Sequence, residues 1–231
     1  MSKQILLIGG NSGMGLASAR KLKDEGHKLI AALRSPEKLE ELDIPTQAFD
    51  AKKEVDLDLP DTLDGLVYFP GSIQLKPFHR LSEEDLIEDF RLNCVGAAKA
   101  IQAALPALKK SESASIVLFS TVAALQGMGF HASIAAAKGA LESMGRSLAA
   151  EFAPSIRVNM IAPSLTDTPL ADSLLANDDK REAAAKRHPL NRVGDPQEVA
   201  GLVSFLMSDA SRFMSGQTLR PDGGLSTLQT F

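Results

Sequence analysis

Gly9-Gly10-Asn11-Ser12-Gly13-Met14-Gly15 stands between a short apolar run and a stretch with helical spacing. Glycines at a strand-to-helix junction allow a tight turn and close backbone approach to a ligand. The first N–H groups of the helix then face a pyrophosphate. Gly9, Asn11, Ser12, Gly13, Met14 and Gly15 are therefore candidate dinucleotide contacts, a ligand-free glycine turn being the alternative. Arg34 ends the next apolar run, where the adenosine ribose of such a ligand would rest. A guanidinium there favours a 2′-phosphate, so NADP (NADPH) is expected over NAD, unless Arg34 is simply a solvated surface residue. Asp50 ends the third run, placed either to receive the adenine amino group or to serve its own loop.

A second set of polar residues suits proton chemistry. Ile134 and Lys138 are four apart in an alanine-rich helical stretch and so share a face. His131 and Ser133 come just before or within the first turn of that helix. Histidine titrates near neutrality and is the commonest general acid–base residue, so His131 is a candidate proton donor or relay, against a solvent-facing loop imidazole. Asn93 lies inside another helical stretch, where a polar side chain can also satisfy a backbone kink. His27, His79, His131 and His188 are scattered singly, and no metal site is expected.

The elements that must position these residues alternate. Gln4–Ile8, Lys28–Leu33, Thr46–Phe49, Gly65–Phe69, Ser115–Ser120 and Ile156–Ile161 are apolar runs that read as buried strands, and Gln217–Arg220 closes the sheet. Leu16, Ala19 and Leu22 recur at helical spacing up to Gly26. Ser35-Pro36 opens a second helix, Ser82 with Asp85 a third, and a long helix runs from about Ala132 to Phe152. Val199, Leu202, Val203 and Leu206 form one stripe of a last helix. Strand–helix alternation requires crossovers between parallel strands, which predicts an α/β, doubly wound Rossmann fold of about seven strands with helices on both faces. Two stretches break the rhythm. Asp50–Asp64 is charged with little apolar periodicity, so its crossover helix is short or missing; Leu165–Leu190 is polar and loosely helical, suited to a mobile flap.

Composition narrows the partners. The chain has 231 residues, enough for one domain over residues 1–231 with a sizeable core. A net charge of -4 without a basic block argues against nucleic acid. No apolar run approaches the ~18 residues of a membrane span, and the single cysteine, Cys94, suits a reducing, cytoplasmic setting. There is no tryptophan and one tyrosine, Tyr68.

Several segments resemble the short-chain dehydrogenase/reductase family. Gly9, Gly13 and Gly15 match its glycine turn, with Ile8 in place of threonine; Asn93 matches its helix asparagine, and Lys138 the lysine of Tyr-x-x-x-Lys. Arg157-Val158-Asn159 through Pro163-Ser164 resembles Arg-Val-Asn-x-x-x-Pro-Gly, and Thr168-Pro169, Arg192-Val193-Gly194 and Asp222-Gly223-Gly224 follow in family order. The resemblance implies that Thr168 contacts the nicotinamide carboxamide, that Pro163 and Gly71 border the cofactor, and that Lys138 holds its ribose. It also implies that the serine polarising the substrate carbonyl corresponds to Thr121, with Ser120 beside it. The departures are specific. Asn-Asn-Ala-Gly reads Tyr68-Phe69-Pro70-Gly71, and the position of the catalytic tyrosine holds Ile134. Tyr68 is no substitute, because four residues on stands Ser72.

Losing a general acid lowers a rate by about 10²–10⁴-fold, roughly 3–5.5 kcal/mol of barrier. Orienting hydride donor and acceptor contributes as much or more. The expected function is therefore an NADP-dependent oxidoreductase acting on a small carbonyl or alcohol with atypical proton delivery, the proton coming from or through His131 and the substrate oxygen held by Thr121 or Ser120. An inactive NADP-binding sensor or partner subunit is the main alternative, and a lyase or isomerase a lesser one. Ala135, Ala136, Ala137, Gly139 and Ala140 give the long helix a small-sided stretch, and the resemblance implies a homodimer or homotetramer paired through it.

Overall fold

The computed structural model describes residues 2–229. Seven parallel strands form one sheet in the order β3-β2-β1-β4-β5-β6-β7. They are β1 (Gln4–Ile8), β2 (Lys28–Leu33), β3 (Thr46–Ala48), β4 (Gly65–Tyr68), β5 (Ala114–Phe119), β6 (Ile156–Ile161) and β7 (Thr218–Leu219). Each predicted strand is present, shifted by at most a residue at either end. Successive side chains of a strand leave on opposite faces, and both faces here are apolar. Leu6 and Ile8 of β1 join one buried cluster while Ile5 and Leu7 join the other. A sheet apolar on both sides must be covered on both sides.

The helices do this in two layers. Helices α1 (Gly13–Asp24) and α7 (Pro196–Met207) pack together over one face, their Ala19, Leu22, Val199, Val203 and Leu206 in the same cluster as Ile5. The short α2 (Glu37–Glu40) joins them through Leu39. It begins one residue later than the Ser35-Pro36 signal suggests, because Pro36 itself takes the N-cap position. On the other face lie α3 (Glu83–Phe90), α4 (Gly96–Leu108) and α5 (Ala132–Phe152). Helix α3 starts with a capping box between Ser82 and Asp85, as the sequence predicts. It is separated from α4 by a π-turn over Arg91–Val95, which contains Asn93.

The two irregular stretches have distinct solutions. Between β3 and β4 there is no helix. Instead Val55, Leu57 and Leu59, on alternate positions, pack against the core while Gln47 exchanges two hydrogen bonds with the backbone of Asp58. The 165–190 segment holds a 3₁₀ turn (Pro169–Leu174) and α6 (Asp178–Ala185) around its own small cluster of Ala171, Leu175 and Ala184. Among the described residues no helix is long and apolar enough to cross a membrane.

Gly96 opens α4 against the end of β4. A Cβ there would meet Tyr68 Oη and the Ala51 side chain at less than van der Waals separation. Gly96→Ala is therefore expected to destabilise the fold by about 1–3 kcal/mol. Gly201→Ala in α7, where a Cβ would meet nothing within 4 Å, is expected to stabilise it by up to ~1 kcal/mol. Thermal unfolding of both variants checks the contrast.

Candidate active site at the carboxyl ends of the strands

The strand order reverses between β1 and β4, and in open α/β sheets ligands bind at that reversal, beyond the carboxyl ends. A cavity of about 830 Å³ opens there. Gly9, Asn11, Ser12, Gly13, Met14, Gly15, Arg34, Asp50 and Gly71 line it together with Ser120, Thr121, His131, Lys138, Pro163 and Thr168. Asn93 alone among the predicted residues lies behind its wall, fully buried.

The glycine turn has the shape its sequence suggests. A Cβ on Gly15 would sit 2.5 Å from Gly10 Cα, so α1 can approach the turn only with glycine there. Gly13 has φ +50° and leaves room for the Thr168 side chain, which a Cβ would reach at 2.9 Å. Ser12 takes the N-cap position without a side-chain cap, so the first N–H groups of α1 face the cavity unspent. Asn11 donates to Ser35 O at 2.9 Å and ties the turn to the segment carrying Arg34, whose guanidinium is exposed. Asp50 lines the cavity and also accepts from Lys52 N at 3.0 Å, so it closes its own loop.

Deeper in, Lys138 is buried and donates from Nζ to Phe119 O, the last carbonyl of β5, at 2.6 Å. Burial lowers its pKa to about 7, against the opposing charge of Asp89. Asn93 donates from Nδ2 to Asp89 O at 2.7 Å across the π-turn, the kink-satisfying role open to it from sequence. Its Oδ1 is buried with no partner. At Gly71 a Cβ would lie 3.3 Å from Lys138 Nζ and 3.4 Å from Asn93 Oδ1, so the missing side chain keeps space open between an amine and an unsatisfied carbonyl. Lys138, with the uncapped N–H groups of α1, fits a nucleotide bearing phosphates and ribose hydroxyls.

The proton-handling residues divide. Thr121 lines the cavity, its hydroxyl accepting from Ala123 N at 3.3 Å. Ser120 also lines it, but its hydroxyl donates a hydrogen bond to Glu142 Oε1 at 2.7 Å. His131 occupies the N-cap position of α5 with Nδ1 2.7 Å from Gly129 O. A carbonyl only accepts, so Nδ1 carries the hydrogen and Nε2 is left for another partner. Ile134 lines the cavity and offers no proton. Tyr68, the last residue of the central strand β4, is wholly buried and donates to Leu92 O at 2.6 Å, and burial pushes its phenol far above the usual value.

Two polar arrangements escape sequence reasoning. Asp89, buried, accepts from Ser72 Oγ at 2.7 Å and from Ser133 Oγ at 2.6 Å. His188, also buried, has Nδ1 at 2.9 Å from Ala184 O and Nε2 at 2.9 Å from Ser164 Oγ, pinning the end of the 165–190 segment to the residue after Pro163. The only sequence signal for Asp89 is that it precedes Asn93 by one helical turn. Among the described residues no three His, Cys, Asp or Glu side chains cluster to hold a metal.

The Lys138 amine links the site to stability. Unfolded, a lysine titrates near ~10.4, while folded Lys138 titrates at about 7. Between those values the unfolded chain binds more protons, so this group's destabilising effect is full below pH 7 and fades as pH rises. Lys138→Met is expected to raise the melting temperature of the nucleotide-free protein more at pH 6 than at pH 9.5. A difference independent of pH would contradict the assignment.

A family model described as Enoyl-(Acyl carrier protein) reductase matches residues 8–226. A tropinone reductase homolog of Arabidopsis thaliana is 34% identical over 241 residues, covering 96% of this chain and 89% of that protein. Among solved structures, the ligand-free aldohexose dehydrogenase of Thermoplasma acidophilum superposes with a TM-score of 0.89 at 27% identity, covering 100% of this chain and 96% of that one. The gluconate 5-dehydrogenase of Burkholderia cenocepacia, in complex with NADP and tartrate, gives 0.89 at 25% identity, covering 99% and 97%. With the glycine turn, Asn93, Lys138 and the sheet order in place, the chain belongs to the short-chain dehydrogenase/reductase family of oxidoreductases.

Proposed function

We propose that this protein is an NADP-dependent oxidoreductase that exchanges hydride with a small carbonyl or alcohol substrate, and that its proton is delivered by His131 rather than by a tyrosine. The observation that carries the reading is that Lys138, with the unpaired Asn93 Oδ1 behind the wall near Gly71, lines the same cavity as the uncapped start of α1. NADP, when bound, supplies the hydride chemistry. The chain's own residues do the rest. Gly9, Gly13 and Gly15 admit the pyrophosphate to the N–H groups of α1, Arg34 meets the 2′-phosphate, Asp50 the adenine, and Lys138 the ribose. Thr168 and Pro163 border the nicotinamide end, and Thr121 holds the substrate oxygen. Ser120 serves this less well, since its proton is committed to Glu142.

His131 suits the proton step because its Nδ1 is fixed on Gly129 O, which leaves Nε2 to gain or give the proton within the cavity that Ile134 lines. The gluconate 5-dehydrogenase held with NADP supports the cofactor choice by analogy. A homodimer or homotetramer built on α5 completes the proposal; a Cβ at Gly139, in the small-sided part of that helix, would meet nothing in the subunit. A cytoplasmic setting accords with the lone buried Cys94.

A second reading, an inactive NADP-binding sensor or partner subunit, is favoured by Ile134 in the tyrosine's place and by the altered Tyr68–Gly71 segment. Purified protein that binds NADPH yet oxidises none across a broad carbonyl panel would establish it over the first. Cofactor preference is tested by titration. Arg34→Ala is expected to weaken NADPH binding about tenfold or more while leaving NADH binding within about twofold, since a charge-assisted contact to phosphate is lost only in the former; equal losses would sink the NADP assignment. The proton route is tested by turnover of a panel substrate. His131→Ala is expected to lower kcat about 10²-fold with the NADPH dissociation constant unchanged, and Ile134→Tyr to restore much of that loss in the same background. Unchanged turnover in His131→Ala would remove histidine from the mechanism.

A further inference from the structure

Asp89 has no cation within salt-bridging distance among the described residues, yet it is buried to 2% exposure at the end of α3. Burying a carboxylate is unfavourable unless its oxygens are satisfied and its charge is answered. The oxygens are satisfied: Oδ1 takes the Ser72 hydroxyl and Oδ2 the Ser133 hydroxyl. Ser72 follows Gly71, where Lys138 Nζ comes close, and Ser133 precedes Ile134, one turn before Lys138 on α5. The backbone oxygen of Asp89 is held by Asn93. The carboxylate is thus clamped by the two segments that flank Lys138, and its charge acts on the buried Lys138 amine.

We propose that Asp89 is a positioning residue whose carboxylate favours the ammonium form of Lys138, so that the amine can hold the ribose of a bound NADP without a tyrosine beside it. The inference rests on the cofactor reading above and adds a residue to it. Among the other titratable groups of the elements packed there, none supplies this charge. Asp85 is paired with Lys76, Glu84 with Arg91, and Glu88 with Lys52 and Arg91. Glu83, in the first turn of α3, is exposed. Glu142, one turn along α5, is engaged by Ser120 and Arg146. Burial raises the Cys94 thiol and the Tyr68 phenol, which keeps both neutral, and His131 stands at the N-cap of α5 with Nδ1 turned to Gly129 O. The Asp89 charge is the one that acts on Lys138 against its desolvation.

The test needs no substrate. NADP+ binding to the full-length protein is measured by calorimetry from pH 5 to 9, for the unmodified chain, Asp89→Asn and Asp89→Glu. Titration of the nucleotide's own phosphates is common to all three and cancels. Removing an opposing charge moves a pKa by about one unit or more. Asp89→Asn is expected to shift the fall in affinity about one unit toward acid, weakening binding up to about tenfold at pH 7.5 and little at pH 5, with Asp89→Glu recovering most of it. A purely structural role would weaken binding equally at every pH and overturn the proposal. Should Asp89→Asn fail to fold, the double variant Asp89→Asn/Lys138→Met decides. Its folding would show that the unanswered ammonium was the fault, and its failure to fold would overturn the proposal. No NADP+ binding by the unmodified chain at any pH would sink the cofactor reading and this inference with it, whereas normal binding with an unmoved pH break in Asp89→Asn would sink the Asp89 assignment alone.

Discussion

An amine removed from water must find an acceptor, and Lys138 finds it in the last carbonyl of β5. One turn along the same helix, Glu142 accepts a hydrogen bond from the hydroxyl of Ser120, the residue that follows the strand. Helix α5 is therefore gripped at two points four residues apart by the last residue of β5 and the residue that follows it. That grip fixes both the rotation of α5 about its axis and its position along the sheet. Ile134, His131 and Thr121 line the cavity because Lys138 and Glu142 are so held.

The opposite wall is set by backbone rather than by side-chain polarity. Gly15 lets α1 close on Gly10, and Gly13 lets the root of the 165–190 segment come down through Thr168. The reversal of strand order between β1 and β4 then places this wall and the Lys138 wall on either side of one crevice. Chemistry on one side and anion binding on the other thus arise from two separate constraints. Loss of the tyrosine removes a group from the first without disturbing the second, which is how a site can keep its cofactor features and lose its usual proton donor.

Much of this was legible in the residues themselves. Strands buried on both faces read as unbroken apolar runs, so β1, β2, β5 and β6 stand out, and α5 declares itself by Leu141, Met144, Leu148 and Phe152. The glycine turn was legible because backbone sterics leave few substitutes for glycine. Other features depend on contacts between distant residues and have no local signature. The Asp89 clamp joins positions 72, 89 and 133, and the pair Ser164–His188 joins residues 24 apart. Which of Ser120 and Thr121 has its hydroxyl hydrogen committed depends on Glu142, 22 residues further on, which composition does not encode. The segment between β3 and β4 carries a period of two in Val55, Leu57 and Leu59 that its interleaved charges conceal.

Tyr68 has no part in the chemistry, but its setting gives the molecule an optical property. Its hydroxyl ends on Leu92 O, within the π-turn that carries Asn93, and its ring meets Phe49 edge-on with centroids 6.4 Å apart. Because the chain contains no tryptophan, the tyrosine band of its near-ultraviolet absorption and circular dichroism comes from this one side chain. The chromophore is thus built into the joint between α3 and α4, and the same absence leaves the emission of a reduced nicotinamide free of energy transfer from indole.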